Sequence, residues 1–232
     1  MVKNKTNVSA TMQEYLAEAY RLAYYQDNNP YVSTSALAEA MGVSAPAVTR
    51  MVQRLQDRGY LEHQAYQGLR LTPAGEREAL AHLRRHRLVE CFLVTIMGFA
   101  WHEVHALAGE FEPVVSDAVI QRMAAMIESP LRCPHGEPIP TADGIMPSVV
   151  DYPLAEVEAG RDYVVSRVNT YEVEKLHYCA ALGLSPGTAF QFVERAPFDG
   201  PLQLRVGEQT HFIGQALAIM LRVCSRGEFD LR

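Results

Sequence analysis

Six of the chain's 13 prolines lie between Pro130 and Pro153, and this density constrains the fold more than any other feature. Proline lacks the N–H that helices and ladders use, so no regular element is expected there. The stretch reads as a linker or wrapped connector between two regions of different character. Residues 9 to 128 read as mostly helical with one short β-like interruption. Residues 154 to 225 alternate short β-branched segments with glycine turns, as in a small β-barrel. Hydrophobic residues make up 48% of the 232, enough for packed cores rather than a disordered chain.

The helical region opens with Ser9 or Thr11 as the cap of a helix through about Tyr25, broken by Asp27-Asn28-Asn29-Pro30. Ser33 or Thr34 then caps a short helix, Ser35 to Met41, and Gly42 permits a tight turn. Ser44 caps the next helix, with Pro46 in its first turn, where a missing N–H costs little. Val48, Met51, Val52 and Leu55 form its apolar stripe; Thr49, Arg50, Gln53 and Arg54 fall on other faces. It ends at Arg58-Gly59, and YLEHQAYQGLRLTPAG reads as two short strands around Gln67-Gly68. Thr72-Pro73 opens a long helix.

Helix, turn, helix and β-hairpin in this order predict a winged helix-turn-helix, whose second helix reads the major groove of double-stranded DNA. The net charge of -6 does not oppose this, because charge is unevenly spread. From Ala45 to Arg87 there are eight arginines against Asp57, Glu62, Glu76 and Glu78. Arg50 is suited to guanine edges, Ser44 and Thr49 to phosphates or bases, and Arg54, Arg58 and Arg70 to phosphates. Thr34, Pro46 and Ala47, at the starts of the two helices, complete the expected DNA-facing set. The bland alternative is a helix pair with merely solvated arginines.

Past the wing, His82, His86 and Glu90 recur every four residues and share one helix face. His105, Glu110 and Glu112 follow near another helix, then Cys133 and His135 among prolines. Imidazole, carboxylate and thiolate groups from separate segments are what a divalent transition metal requires. Taken singly, each has a plainer reading: a solvated His–Glu pair, or a rigid Cys-Pro-His corner. His102-Glu103-Val104-His105 is not HExxH, so a zinc-protease site is excluded, and GxSxG, P-loop and dinucleotide patterns are absent. The chain is therefore expected not to be an enzyme.

The remaining features bound the setting. Cys91, Cys133, Cys179 and Cys224 are scattered without a CxxC pair and predict isolated thiols rather than a disulfide framework. No apolar run approaches the roughly 20 residues of a membrane helix. The N-terminus has no apolar signal-peptide core. A cytoplasmic protein without membrane partners is expected.

Together TMQEYLAEAYRLAYY, LAEAMGVSAPAVTRMVQRLQDRGYL, GLRLTPAG, RRHRLVECFLVTIMG, EVHALAGEFEPVVSD and CPHGEPIP resemble the diphtheria toxin repressor family of iron- and manganese-dependent regulators. The C-terminal half resembles the SH3-like, FeoA-type domain of its longer members. The resemblance implies a winged helix-turn-helix domain (1–75), a helical metal-binding and dimerisation domain with the Pro-rich connector (76–150), and the SH3-like β-barrel (151–232). It implies a homodimer on a palindromic operator, acting as a repressor of metal uptake genes. Its metal ligands would fall on Glu14, His86, Glu90, His105, Glu112, Cys133 and His135, with a carboxylate from the barrel at Glu172, or Glu174 in a shifted register. Gly109 and Pro113 stand where the family's primary site carries ligands, so Glu110 substitutes there or the His86–Glu90–Cys133–His135 site carries regulation. The oxygen-rich set with Glu14 favours Mn²⁺, with Fe²⁺ the alternative and Zn²⁺, Co²⁺ or Cd²⁺ binding in vitro. The altered primary site leaves a second reading, a metal-independent winged-helix regulator of another ligand; a metalloenzyme is a third. The SH3-like domain would dock the Pro-rich stretch or serve as an extra packing surface.

Overall fold

The structure, a computed structural model, describes residues 8–26 and 29–229, so Asp27 and Asn28 of the expected helix break lie outside the described residues. It divides into two compact units. One holds the chain up to Arg85 with Pro140–Met146, and the other holds His86–Ile139 with the chain from Pro147 onward.

The first unit contains α1 (Ala10–Tyr24), α2 (Thr34–Met41), α3 (Ala45–Asp57), β1 (Leu61–Gln64), β2 (Gly68–Leu71) and the start of α4 (Pro73–Thr95). Capping follows the sequence. Ser9 Oγ accepts from the Met12 N–H, Ser33 Oγ from Ala36 and Thr72 Oγ1 from Gly75, each satisfying an otherwise orphaned donor. Gly42 ends α2 at φ 62, a left-handed conformation that a side chain would strain. Val48, Val52 and Leu55 turn inward from α3 onto Leu16, Leu37 and Leu69, and Met51 lies at the edge. The wing differs from expectation by about a residue. The bend falls at Tyr66, at φ 66, and Gly68 already belongs to β2, opposite Gln64. Gly68 is needed for a different reason: a Cβ there would lie 2.5 Å from the Val32 carbonyl oxygen. Val32 bridges Leu69 as a third, single-residue strand.

The second unit begins within α4 and adds α5 (Val104–Phe111), a 3-10 turn (Glu112–Val114) and α6 (Asp117–Met126). Leu88, Val89 and Leu93 of α4 meet Val104, Ala108, Ile120 and Met123 in one apolar core. Its C-terminal part is β3 (Tyr152–Pro153), a 3-10 turn (Leu154–Glu156), β4 (Arg161–Val168), α7 (Val173–Ala181), β5 (Ala189–Arg195), β6 (Leu202–Val206), β7 (Gln209–Ile213), α8 (Gln215–Met220), β8 (Leu221–Cys224) and α9 (Arg226–Phe229). The strands form one antiparallel sheet in the order β3-β8-β4-β5-β6-β7 around Leu154, Phe192, Leu202, Leu204 and Leu221. Among the described residues its end strands, β3 and β7, are not paired to each other, so this small sheet domain is open rather than a closed barrel. β3 is two residues long and ends in a proline, which has no N–H to extend a ladder.

The Pro-rich stretch is not a solvated linker over its first half. Cys133 and His135–Pro140 are buried. The loop closes on itself through Cys133 N–H to Glu137 O (2.8 Å) and Ile139 N–H to Leu131 O (2.8 Å). The proline carbonyls take arginine donors: Arg87 Nη1 bonds Pro138 O in the second unit, and Arg84 Nη1 bonds Pro140 O in the first. All four cysteines are buried free thiols.

Candidate metal centre and nucleic-acid face

His86 and Glu90 are spaced i, i+4 on α4, about one turn apart, so both point to the same side. Glu90 is 1% exposed, and its Oε1 receives three imidazoles: His86 Nε2 at 3.2 Å, His105 Nδ1 at 3.0 Å and His135 Nδ1 at 3.4 Å. α5 brings in His105, whose Nδ1 lies 3.1 Å from His86 Nε2. The Cys133–Pro140 loop brings in His135 and Cys133, whose Sγ and Nδ1 are 4.0 Å apart. Two overlapping trios result, His86–Glu90–His105 and Glu90–Cys133–His135, with ligand atoms within 4.8 Å of one another.

Their electrostatics fit a shared cation. Burial works to lower the His86 pKa, but the Glu90 and Glu112 carboxylates outweigh it and lift it to about 9. His135 rises likewise to about 10, against burial, beside Glu90 and the Cys133 thiol. Burial works to raise Glu90, yet its imidazole neighbours, His135 foremost, hold it well below the usual carboxylate range. Burial lowers His105 and raises Cys133. Glu90 Oε2 and His135 Nε2 are buried without a hydrogen-bond partner among the described residues. The unpartnered Glu90 Oε2, on the carboxylate where the imidazoles converge, is an oxygen that a divalent ion would satisfy, and nitrogen, sulfur and oxygen donors of this kind suit a transition metal.

Glu112 is buried but stands behind the trio. Its Oε2 lies 3.3 Å from His86 Nδ1, the ring nitrogen directed away from Glu90. The 3-10 turn begun by Glu112 and Pro113 aims the carboxylate inward, while Gly109 and Pro113 themselves are exposed. The other expected ligands lie outside the grouped residues. Glu14 is exposed on α1, and Glu110 is exposed on α5. Glu172, at the N-cap of α7, is exposed and paired with Lys175 Nζ at 2.5 Å; Glu174 is also exposed. Sequence reasoning missed Tyr171, whose ring lies flat on His105 at 3.5 Å and 8°, and Trp101, 5.9 Å from His135. No local spacing signals such stacking between distant segments.

On the first unit, Ser44, Pro46, Thr49, Arg50 and Arg54 are exposed along α3, with Ala47 half-buried; Thr34 is half-buried at the start of α2. Ser44 makes no side-chain cap bond, and Thr49 Oγ1 donates to Ala45 O at 3.0 Å. Arg50 and Arg54 are one turn apart, and neither is in an ion pair among the described residues. Arg70, on the wing, is already held by Glu62 at 2.7 Å.

This fold and site define a class: metal-responsive, DNA-binding repressors with a helical metal domain and an FeoA-type appendage. Residues 7–69 match the family model described as "Iron dependent repressor, N-terminal DNA binding domain". Residues 72–141 match "Iron dependent repressor, metal binding and dimerisation domain", and residues 152–223 match "FeoA domain". The iron-dependent repressor IdeR of Mycobacterium tuberculosis is 35% identical over 130 residues, 56% of this chain and 55% of that protein. The chain thus spans little more than half the length of that relative. The diphtheria toxin repressor of Corynebacterium glutamicum is 28% identical over 79% of this chain and 83% of its own length. A solved "Manganese-dependent transcriptional repressor complex with manganese" is 34% identical, with a TM-score of 0.84 over 92% of this chain and 99% of that one. The chain belongs to the diphtheria toxin repressor family of metal-dependent transcriptional repressors, which are DNA-binding regulators and not enzymes. No helix among the described residues is long and apolar enough to cross a membrane.

Proposed function

We propose that this chain is a manganese-responsive repressor of metal uptake genes. It acts in the cytoplasm as a homodimer on a palindromic operator, with His86, Glu90, His105, Cys133 and His135 holding the ion. The convergence of three imidazoles on the buried Glu90 Oε1 carries this reading. Glu112 orients His86 from behind, in the carboxylate–histidine arrangement that fixes a metal-binding tautomer. The three-part division at 1–75, 76–150 and 151–232 is part of the same proposal.

The ion would supply positive charge joining α4, α5 and the Cys133–Pro140 loop, whose ligand groups otherwise share protons. An ion that binds one arrangement better shifts the population towards it, and that arrangement presents two α3 helices to successive major grooves. The likeness to a manganese-bound repressor favours Mn²⁺. Fe²⁺ is the second reading, supported by the likeness to iron-dependent repressors. The imidazole and thiol donors predict that Zn²⁺ and Co²⁺ bind more tightly than Mn²⁺ in vitro.

The test is anaerobic fluorescence anisotropy on selected genomic fragments at fixed salt, with Mn²⁺ titrated against a chelated control. Tightening by Mn²⁺ that His86→Ala removes is the expected result. Equal affinity with and without metal would overturn it in favour of a regulator of another ligand.

A further inference from the structure

The loop bearing Cys133 and His135 closes on itself through three backbone bonds, Cys133 N–H to Glu137 O, Gly136 N–H to Cys133 O and Ile139 N–H to Leu131 O. It is further fastened by side chains from α4 and from the FeoA-type sheet. Glu137, two residues past His135 and 3% exposed, lies 3.4 Å from Arg87 Nη2 and 3.5 Å from Arg167 Nη1. Arg87 follows His86 on α4; Arg167 lies on β4 of the FeoA-type sheet. Arg167 continues to Asp151 through Nε (2.6 Å) and Nη2 (2.7 Å). Asp151 in turn accepts from Arg222 Nε (2.5 Å) on β8 and from Ser166 Oγ (2.7 Å). The backbones meet at the same place. β4 bulges between Val165 and Arg167, Val168 N–H donates to His135 O at 3.0 Å, and Arg132 Nη1 donates to Gly136 O at 2.7 Å. Gly136 sits at φ 86, where a Cβ would lie 2.0 Å from Ser166 O.

Burying the Arg87 and Arg167 guanidiniums with the Glu137 and Asp151 carboxylates, and half-burying Arg222, is a poor route to stability, because apolar side chains of similar size would serve as well or better. Such a chain is better suited to fixing geometry. Resting on the ligand assignment above, we infer that the buried chain Arg87–Glu137–Arg167–Asp151–Arg222 is a positioning device by which the FeoA-type sheet holds Cys133 and His135 against Glu90. The sheet thus takes part in metal binding by holding the loop rather than by donating a ligand; Glu172 and Glu174 point to solvent. Arg87 and Arg167 are positioning residues, and the Cys133–Pro140 loop is the element they position.

Co²⁺ binding to the full chain tests this, because a thiolate-to-cobalt charge-transfer band reports Cys133 separately from the imidazoles. Arg167→Met leaves Glu137 with Arg87 and Asp151 with Arg222, so no carboxylate is stranded. The expected result is a loss of about ten- to a hundredfold in Co²⁺ affinity with a weakened thiolate band, partly restored by Arg167→Lys. Glu137→Gln, which keeps shape and removes charge, should weaken the band in the same way if Arg167→Met folds poorly. Arg195→Met removes a guanidinium that bonds Ala155 O elsewhere in the sheet domain; it should lower the melting temperature and leave the band intact. Wild-type affinity and band in folded Arg167→Met and Glu137→Gln would overturn the inference alone. A wild-type chain with no band that Cys133→Ser abolishes would remove Cys133 from the ligand set and overturn the reading beneath it.

Discussion

His86 has two ring nitrogens and two carboxylates within reach: Nδ1 faces Glu112 and Nε2 faces Glu90. If Glu112 accepts from Nδ1–H, Nε2 is left with its lone pair towards Glu90 and His105, as a ligand needs. Glu112→Gln leaves an amide that no longer enforces that tautomer. Metal affinity should fall about tenfold, read by competition with a chelating indicator; unchanged affinity would show that Glu112 has no such role. Asp151 makes the pH prediction. Burial would raise its carboxyl, but the Arg167 hydrogen bond and charge, then Arg222 and Ser166, hold it below its ordinary value. A folded pKa below the unfolded value of about 3.9 contributes stability that is complete above that pH and is lost as pH falls through the folded value. Asp151→Asn should cost about 3 kcal/mol near neutrality. In chelator, the gap between its urea midpoint and that of the wild type should be flat from about pH 5 to 8 and narrow below about pH 4. A gap that ignores acid would show that the carboxylate charge is not what Asp151 contributes.

Helices were legible where one residue type does one physical job. The sequence offers Ser9 or Thr11 and Ser33 or Thr34 as caps, Thr72-Pro73 as a helix start and Gly42 as a tight turn; in the structure Ser9, Ser33 and Thr72 make the cap bonds and Gly42 ends α2 in a left-handed conformation. The wing tip was misplaced because Gly68 was read as the turn residue, whereas its lack of a side chain admits the Val32 carbonyl and Tyr66 takes the bend. Between Pro130 and Pro153 the sequence leaves a linker and a wrapped connector undecided, because proline density reports only what the backbone cannot donate. The carbonyls of the Cys133–Pro140 loop are paired by Arg84 and Arg87, more than fifty residues earlier, a match no local pattern encodes. The helix face carrying His86 and Glu90 was visible from spacing; the stack of Tyr171 on His105 was not. Recognition by α3 makes a prediction at this scale. Arg50 and Arg54 project into solvent, whereas Arg70 must leave Glu62 to reach a phosphate. Arg50→Ala should cost about 1–3 kcal/mol and relax preference at one base pair, and Arg54→Ala should weaken all sequences alike and reduce the salt slope by about 1. Arg70→Ala should cost less than either. Anisotropy on matched and mismatched fragments at several salt concentrations separates these outcomes; equal losses for all three would mean that α3 does not read bases.

At the scale of the whole molecule, metal binding and operator binding have different requirements. On the proposed ligand set, His86, Glu90, His105, Cys133 and His135 lie together within one chain, so metal binding would not require a second protomer. A palindromic operator, by contrast, needs two α3 helices about one helical repeat apart, and so needs a second protomer. The second unit has a surface suited to one. Phe111, Val114, Val119 and Met126, on α5, α6 and the turn between them, are 38%, 79%, 45% and 52% exposed. Several large apolar side chains left in water on adjoining elements are the mark of an interaction surface, and they fall within the segment matched by the family's dimerisation domain. A charge at the centre of that face would have to be buried unpaired on association, at a cost of several kcal/mol. Val119→Glu should therefore give a monomer by sedimentation with a near-wild-type Co²⁺ spectrum and affinity, while binding to a two-half-site operator falls to the level of nonspecific DNA. Joint loss of metal and DNA binding in a folded monomer would mean that the partner subunit shapes the metal centre. Retained operator binding by a monomer would rule out the two-headed arrangement.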